Sequence, residues 1–400
     1  MAKGLRAGQH SVMDRIPTGP LGDLRVIDVA TVVAGPGAAR YLGDFGADVI
    51  KVERSGSGDT VRSMGWRDPR DGETLWWKLI ARNKRCIALD LKDPGDLRVM
   101  LDLCSTADVL VENFRPGTLE RLGLAPEVLW ERNPGLVVTR VTGFGQTGPY
   151  SDRPGFATQA EALSGYAAIS GEAGGQPLLP PIALTDEVTA LAAAFATMVA
   201  LHSGVGQVVD VNLIESMLQM MGPLVALYGL TGEVQERLGA GIPYTVPRNT
   251  NRCRDGRWIA VSTSAASVAQ RLMTLVGLVG DSVATFESRQ AHRVQIDAAV
   301  GAWMAERTGA DALEQLAAAD VAAAPVYDMA DIFADEHFAA RGAIAEVDGV
   351  PMQQLIARLS ATPGAIRWAG RRLDADAREI HAELTRRDES PQDLPGAAKH

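Results

Sequence analysis

Short runs of β-branched residues alternate with helical spacing through the first 150 residues of the chain. LRVIDVA at residues 24–30 predicts a buried strand, GPGAARYLGDFGA follows with apolar residues at helical spacing, and DVIKVE at residues 48–53 predicts a second strand. The alternation recurs through CIALDL, DVLVENF and GLVVTRVTGFG, with helical segments between them. Units of this kind form parallel sheets with right-handed crossovers, so the pattern predicts a doubly wound α/β domain.

The character of the chain changes after this region. Residues 154–203 have mostly helical patterns, and GIPYTVPRNTNRCRDGRWIAVSTS predicts loops and a β-hairpin around the turn RDG, followed by Ala-rich helices. The α/β pattern of the first domain returns in two later segments, AAAPVYDMADIFADEHFAARG and LIARLSATPGAIRWAG. The sequence therefore predicts a large domain from residues 1–224 and 331–400 and a small domain from residues 225–330.

Composition and charge narrow the classes of function. Hydrophobic residues make up 46% and charged residues 22%, as in ordinary globular proteins, and the net charge of -10 argues against sequence-independent nucleic-acid binding. The three cysteines lack CxxC spacing and the six histidines lack HxH or HxxxH spacing, so neither disulfides nor a metal site are predicted. The N-terminus has no apolar signal segment, and the apolar run at residues 188–201 is too short to span a bilayer. We expect a cytoplasmic protein without a membrane partner.

Two features of the first domain bear on ligand binding. GFGQTG at residues 143–148 has the glycine spacing of a dinucleotide site, but PYSDRPG follows where a helix would have to begin, so a tight turn is predicted. Basic residues gather near the predicted strand ends, where open α/β sheets bind ligands. They are Lys51, Arg54, Arg82, Lys84, Arg85, Lys92, Arg115 and Arg121. Their spacing leaves two alternatives open, a site for a phosphate-bearing ligand and a solvated surface.

A carboxylate interrupts the apolar segment LLPPIALTDEVTALAAAFATMVAL at residues 178–201. Asp186 lies where a helix is predicted to begin, and Asp is a favoured N-cap residue. The position also suits a nucleophile, because a carboxylate among apolar and small residues is poorly solvated and a helix N-terminus keeps it ionised. The pattern by itself leaves both roles open.

Six segments, in order, resemble the family III CoA-transferases, which include formyl-CoA transferase, carnitine CoA-transferase and the α-methylacyl-CoA racemases. The segments are VVAGPGAARYLGDFGADVIKVE, NKRCIALDLK, DVLVENFRPGTLERLG, VTGFGQTGPYSDRPGF, GQVVDVNLIES and AAPVYDMADIFAD. The resemblance extends from about Leu21 to Leu384. It implies a Rossmann-like large domain built from both chain ends, a smaller inserted α+β domain, and a homodimer of two interlocked chains.

The resemblance also implies the chemistry. One aspartate of the family, matched by Asp186 in IALTD, attacks an acyl-CoA thioester to form an aspartyl-acyl anhydride and then carries CoA as an enzyme thioester. CoA thus moves from an acyl-CoA to a carboxylic acid, with CoA thioesters as substrates and no permanently bound cofactor. The positions that match CoA contacts are Val33, Ala34, Arg54, Leu89, Lys92, Asn113, Phe114 and Arg121. Val33 replaces a glutamine of formyl-CoA transferase, which argues against formyl-CoA as the donor.

Two alternative functions follow from the same resemblance. The racemases use a histidine in a GHD stretch, where this chain has Phe156 and Ala157 in GFATQAEALSG. Phenylalanine cannot transfer a proton, so racemisation of a 2-methylacyl-CoA is the weaker alternative. Many members carry an acidic residue at the position of Ala157, and Glu161 one turn further on is expected to face solvent. The other alternative is a non-catalytic subunit of a heteromeric CoA-transferase, against which Asp186 argues.

Overall fold

The computed structural model describes residues 19–388 of the 400-residue chain. These residues form two compact units. The first comprises residues 19–160, 181–217 and 344–388, and the second comprises residues 161–180 and 218–343. The domain bounds predicted from the sequence, 1–224 with 331–400 and 225–330, stay a prediction.

A six-stranded parallel sheet organises the first unit. Its strands are β1 (Arg25–Asp28), β2 (Asp48–Arg54), β3 (Lys84–Leu89), β4 (Val109–Glu112), β5 (Val137–Thr142) and β6 (Val208–Asn212). They lie in the order β3-β2-β1-β4-β5-β6, and every neighbouring pair is parallel. This is the strand order of a Rossmann fold, so the predicted parallel α/β sheet is confirmed.

Helices connect and cover the strands. In chain order the helices of the described residues are α1 (Ala34–Asp44), α2 (Leu75–Ile80), α3 (Pro94–Ser105), α4 (Thr118–Arg121), α5 (Pro126–Arg132), α6 (Ala157–Leu163), α7 (Tyr166–Ile169), α8 (Leu184–Ser203), α9 (Leu213–Met220), α10 (Leu224–Thr231), α11 (Ala266–Leu275), α12 (Asp281–Ala284), α13 (Phe286–Ala291), α14 (Arg293–Ala305), α15 (Gly309–Ala318), α16 (Met329–Ala334), α17 (Glu336–Arg341) and α18 (Ala377–Asp388). A 3₁₀ turn spans Thr60–Ser63.

Both faces of the parallel sheet are buried, because successive residues of a strand point to opposite sides. Val26 and Val109 pack on one face with residues of α1 and α8. Ile27 and Leu110 pack on the other face with residues of α3, α5 and α18. This double coverage explains why aliphatic residues occupy successive positions of a strand, as Val26 and Ile27 do in β1, instead of alternating with polar residues.

The second unit has its own sheet and core. Strands β7 (Arg248–Arg252), β8 (Trp258–Ser262) and β9 (Ala323–Pro325) form an antiparallel sheet in that order. The RDG turn joins β7 to β8, so the predicted hairpin is confirmed. Ile259, Leu272, Ile296 and Leu316 belong to the core beneath this sheet. In the first unit, β10 (Ile344–Val347) and β11 (Val350–Gln353) form a separate antiparallel pair.

Helix α8 is longer than its apolar run suggested. Its 20 residues are long and apolar enough, by length and composition, to cross a membrane, which corrects the expectation that the segment is too short. The core helix of a soluble protein meets the same criterion. Thr189, Ala193, Thr197 and Ala200 form a buried face of α8, as a core helix does.

Candidate active site

The predicted CoA-binding residues lie around one edge of the parallel sheet. They are Val33 and Ala34 after β1, Arg54 at the end of β2, Leu89 at the end of β3, Lys92 after it, Asn113 and Phe114 after β4, and Arg121 at the end of α4. Parallel strands place their carboxyl ends at the same edge. The residues after β1 and β4 border the point where the strand order reverses, which is where open α/β sheets bind ligands. Their contact with CoA stays a prediction.

These residues differ in what they can offer to a ligand. Val33, Ala34 and Leu89 are buried, so their side chains lie beneath the surface at this edge of the sheet. Arg54 and Lys92 are exposed, and among the described residues neither forms an ion pair or a side-chain hydrogen bond. Their charges are therefore available to a phosphate group.

The first helix begins very close to the sheet. A Cβ atom at Gly35 would lie 2.5 Å from the Ala30 Cβ and 3.4 Å from the Asn113 Cβ, so only glycine permits this approach. Val33 is the N-cap of α1, and no described side chain caps the first turn. The N–H groups at a helix N-terminus favour anions, so α1 contributes a positive end to this edge.

Side chains hold the turn between β1 and α1 in place. The Asn113 side chain accepts a hydrogen bond from the Thr31 N–H at 2.8 Å and donates one to the Thr31 carbonyl at 2.7 Å. Asp59 Oδ1 accepts a hydrogen bond from the Val32 N–H at 3.1 Å. The Lys51 ammonium donates to the carbonyl of Ala30. The turn therefore depends on side chains that lie far from it in the sequence.

Ionised groups lie beneath this turn. Lys51 Nζ is 3.1 Å from Asp59 Oδ2 and 3.7 Å from Asp28 Oδ1, and all three side chains are buried. Burial acts to lower the pKa of Lys51, but the charges of Asp28, Asp59 and Glu53 outweigh it and raise that pKa. Burial acts to raise the pKa of Asp59, but Lys51 and the N–H donors outweigh it and lower that pKa. Both partners stay charged across the neutral range.

Half of the basic residues predicted near the strand ends are unavailable to a ligand. Lys84 is buried and pairs with Asp28 at 2.8 Å, and Arg82 pairs with Asp44 at 2.5 Å. A charge removed from water needs a fixed partner, and here the partner is a carboxylate of the protein. Such residues therefore neither bind a ligand nor form a solvated surface, the two alternatives that the sequence predicted. The paired and buried residues are Lys51, Arg82, Lys84 and Arg85.

Asp186 lies in the first turn of α8. The helix begins at Leu184 with Ala183 as its N-cap, so Asp186 is the third helical residue and the interpretation of Asp186 as the cap is wrong. The side chain is half-buried. A carboxylate in the first turn interacts favourably with the helix dipole, which favours its ionised form.

The neighbouring carboxylate, Glu187, joins α8 to α1. Glu187 accepts hydrogen bonds from Arg40 Nη2 at 2.9 Å and from the Tyr41 hydroxyl at 2.8 Å, both on α1. Burial raises the pKa of Tyr41 to about 12; Arg40 opposes the rise and Glu187 adds to it. Glu187 therefore fixes the start of α8 to α1.

Apolar packing also joins the start of α8 to the β1–α1 turn. Ala183 packs against the cluster of buried residues that contains Val33, Val61, Trp77 and Ile80. The turn before α1 and the helix that carries Asp186 are thus parts of one packed region of the first unit.

The region that distinguishes racemases lies at the start of α6. Phe156 precedes the helix and is 67% exposed, and its N–H donates to Gln159 Oε1 at 3.0 Å. Glu161 is only 4% exposed, so the expectation that it faces solvent is wrong. Ala160, the preceding residue of α6, packs in a buried cluster with residues of α1 and α8.

The glycine motif after β5 forms a turn, as predicted. Gly145 has φ = 88°, and its N–H donates to Thr142 Oγ1 at 2.9 Å. The next helix begins only at Ala157, so no helix N-terminus meets these glycines. Among residues 19–388, no group of three or more His, Cys, Asp or Glu side chains is placed to hold a metal ion.

Sequence reasoning missed Asp59. A local signal exists, since Asp59 caps the following 3₁₀ turn by accepting from the Val61 N–H at 3.0 Å. Its bond to Val32, 27 positions away in the sequence, has no local signal.

Comparison with known proteins gives a consistent result. Residues 21–377 match the family described as CoA-transferase family III. The chain is 39% identical to a succinyl-CoA–D-citramalate CoA-transferase of Chloroflexus aurantiacus, over 92% of this chain and 94% of that protein. It is 40% identical to the beta subunit of a succinyl-CoA–L-malate CoA-transferase of the same organism, over 91% and 94%. The crystal structure of a CAIB/BAIF family protein from Brucella suis aligns with a TM-score of 0.82 at 30% identity, over 92% of this chain and all of that one. The chain therefore belongs to CoA-transferase family III and is an enzyme of that class, as its motifs indicated.

Proposed function

We propose that this enzyme transfers CoA from succinyl-CoA to a dicarboxylic acid, with Asp186 as the nucleophile. One observation carries the choice of substrates: two relatives about as long as this chain and 39% and 40% identical to it are named for succinyl-CoA with citramalate or malate. Both of those acceptors are hydroxy-dicarboxylic acids, so we take this class as the acceptor.

The reaction proceeds through covalent intermediates on Asp186. Its carboxylate attacks the thioester carbonyl of succinyl-CoA, the C–S bond breaks, and CoA leaves as the thiolate. The thiolate attacks the aspartyl carbonyl of the resulting anhydride, which releases succinate and leaves CoA on Asp186 as a thioester. The acceptor carboxylate attacks this thioester and releases the thiolate again. The thiolate then attacks the acceptor carbonyl of the second anhydride, which regenerates Asp186.

The position of Asp186 supports this role. A half-buried carboxylate is less solvated and hence more nucleophilic than one in water, and the first turn of α8 favours its ionised form. Glu187 is bonded to Arg40 and Tyr41, so its task is to hold the helix.

The sheet edge supports a CoA site beside it. Arg54 and Lys92 offer exposed positive charge at the ends of neighbouring strands, which suits the phosphates of CoA, and Arg121 lies after β4. Buried Val33, Ala34 and Leu89 and half-buried Asn113 and Phe114 form the rest of the proposed surface. The reaction needs no bound cofactor, since CoA enters and leaves as a substrate.

We propose that two chains form the interlocked dimer implied by the family. Leu191, Phe195 and Val199 recur every four residues on α8 and are 38%, 72% and 54% exposed. Such a stripe of large apolar side chains favours a protein partner. A second copy of the chain is our choice; a different subunit is the second candidate, because one relative is named as a beta subunit.

We also propose a cytoplasmic location. The three cysteines are unpaired and buried, which suits a reducing compartment. Burial raises the pKa of Cys86 and of Cys104 to about 12, so these thiols resist oxidation.

The test is CoA transfer by the purified chain and by Asp186→Asn and Asp186→Ala. With succinyl-CoA and D-citramalate or L-malate, the wild type should form the new thioester and each variant should lose at least about 10³-fold in rate. Both variants should stay folded, because a first-turn carboxylate contributes only about 0.3–1 kcal/mol to the helix. Unchanged turnover by Asp186→Asn, with no deamidation to aspartate, would refute the nucleophile. Transfer that requires a second, different subunit would favour the heteromer.

A further inference from the structure

The backbone of the β1–α1 turn is strained. Val32 has φ = 67°, in the left-handed region that β-branched residues rarely adopt because the Cβ atom approaches the backbone. Strain of this kind persists only where the surroundings impose it, and it is common at ligand sites. The contacts of the turn identify what imposes this conformation.

Asp59 supplies the first constraint. Its Oδ1 accepts hydrogen bonds from the N–H groups of Val32 at 3.1 Å and Val61 at 3.0 Å. Its Oδ2 is 3.1 Å from the Lys51 ammonium. Asp59 is 3% exposed and Lys51 1% exposed, so neither can exchange its partner for water. The carboxylate thus holds Val32 from a fixed position.

Asn113 supplies the second constraint. Both ends of its carboxamide bind the backbone of Thr31, at 2.8 Å and 2.7 Å. The side chain reaches across from the end of β4 to the turn after β1, over the point where the strand order reverses. Its oxygen and one of its two amide N–H groups are therefore engaged by the protein itself.

We propose that Asp59 and Asn113 are positioning residues of the CoA site. They hold the backbone at Thr31 and Val32 so that Val33 and the start of α1 present a preformed surface to the acyl-CoA. The inference rests on the proposed function, because it takes this turn as part of the CoA site. It gives Asn113 a role different from the direct CoA contact that the family resemblance implied.

The test measures the KM for succinyl-CoA, the Kd for free CoA and kcat in Asp59→Ala and Asn113→Ala. Loss of either constraint lets the turn relax, so KM and Kd should each rise about tenfold. At saturating succinyl-CoA, kcat should change less than about threefold, because the chemistry occurs on another helix. Asp59→Asn keeps an oxygen that can accept from Val32 and should recover part of the affinity. The matched control is Asp102→Asn, an exposed aspartate of α3 that pairs with Arg132 at 3.4 Å.

A change at Val32 separates positioning from general damage. Glycine adopts a positive φ without strain, so in a Val32→Gly background Asp59→Ala should raise KM less than about threefold. General damage to the fold would not be repaired by that glycine. If Asp59→Ala does not fold, Asn113→Ala in both backgrounds gives the same comparison, because it leaves the Lys51–Asp59 ion pair intact.

Each outcome bears on the inference. Wild-type KM and Kd in both alanine variants would overturn it and leave CoA transfer through Asp186 standing. A tenfold effect of equal size in the Val32→Gly background, or a loss of kcat without a change in KM, would also overturn it. Failure of the wild type to bind CoA would overturn both the inference and the proposed function.

Discussion

Gly37 of α1 packs against α8, the helix that carries Asp186. A Cβ atom built at Gly37 would lie 2.8 Å from the Ala190 Cβ of α8. Carbon atoms in contact lie about 3.5–4.0 Å apart, so Gly37→Ala must separate the two helices by roughly 1 Å. Overpacking of this kind costs about 1–3 kcal/mol, and replacing glycine in a helix returns about 0.5–1 kcal/mol. Taking the middle of both ranges, we expect a net loss of about 1 kcal/mol.

Calorimetry and transfer kinetics check this expectation together. The loss should lower the Tm by about 1–2 °C, because the unfolding entropy of a 400-residue protein is about 0.8 kcal/mol per K. The rate should fall as well, because Ala190 lies one helical turn after Asp186. Gly301→Ala in α14 is the control: its Cβ would meet only Asn251 Oδ1 at 3.6 Å, an ordinary contact, so that variant should be at least as stable as the wild type. A Gly37→Ala enzyme with wild-type Tm and rate would refute the close approach of α1 to α8.

Two further predictions concern stability and assembly. Glu383 of α18 bonds to Arg85 at 2.7 Å, and although burial acts to raise its pKa, the bonds and charges of its arginine partners hold that pKa below the ordinary 4.5. Glu383→Gln should therefore lose about 1–2 kcal/mol of unfolding free energy at pH 7, and the difference should fade below about pH 4 as the wild-type carboxylate is protonated. As a control, Glu379→Gln should lose less, because Glu379 is more exposed. A deficit of Glu383→Gln that persists at pH 3 would contradict the ion-pair account. Phe195→Glu places a charge in the exposed stripe of α8 and should block dimer formation in light scattering, whereas an unchanged dimer would rule this stripe out of the interface.

The sheet could be predicted from the sequence because each strand carries its own signal. Val26 and Ile27 face opposite sides of the sheet, and both sides are covered, so the strand has aliphatic residues at successive positions. Such a run is visible within a few residues, and its repetition at regular intervals also indicates the parallel connections. The sequence also predicted that the candidate CoA-binding residues share one edge of the sheet, because parallel strands place their carboxyl ends together; their contact with CoA stays a prediction.

The interactions between distant residues could not be predicted in this way. Lys84 was expected to be near a ligand or at the surface, yet it is buried on Asp28, a residue 56 positions away. Local sequence carries no mark of such a partner, since an exposed lysine and a buried, paired one have the same neighbours in the chain. Glu161 and Asp59 are buried for the same kind of reason, through packing that only the folded chain creates. The proposed role of Asp186 came from the resemblance, because the pattern by itself favoured an N-cap.

Trapping of the covalent intermediate tests the central claim most directly. Wild-type enzyme is mixed with succinyl-CoA, treated with hydroxylamine, digested and measured by mass spectrometry, with Asp186→Asn as the matched control. An activated aspartyl carbonyl, as anhydride or CoA thioester, is captured as its hydroxamate, so the account predicts this mass change at Asp186 and its absence in Asp186→Asn. A hydroxamate at another carboxylate, or none at all while transfer continues at the wild-type rate, would contradict it.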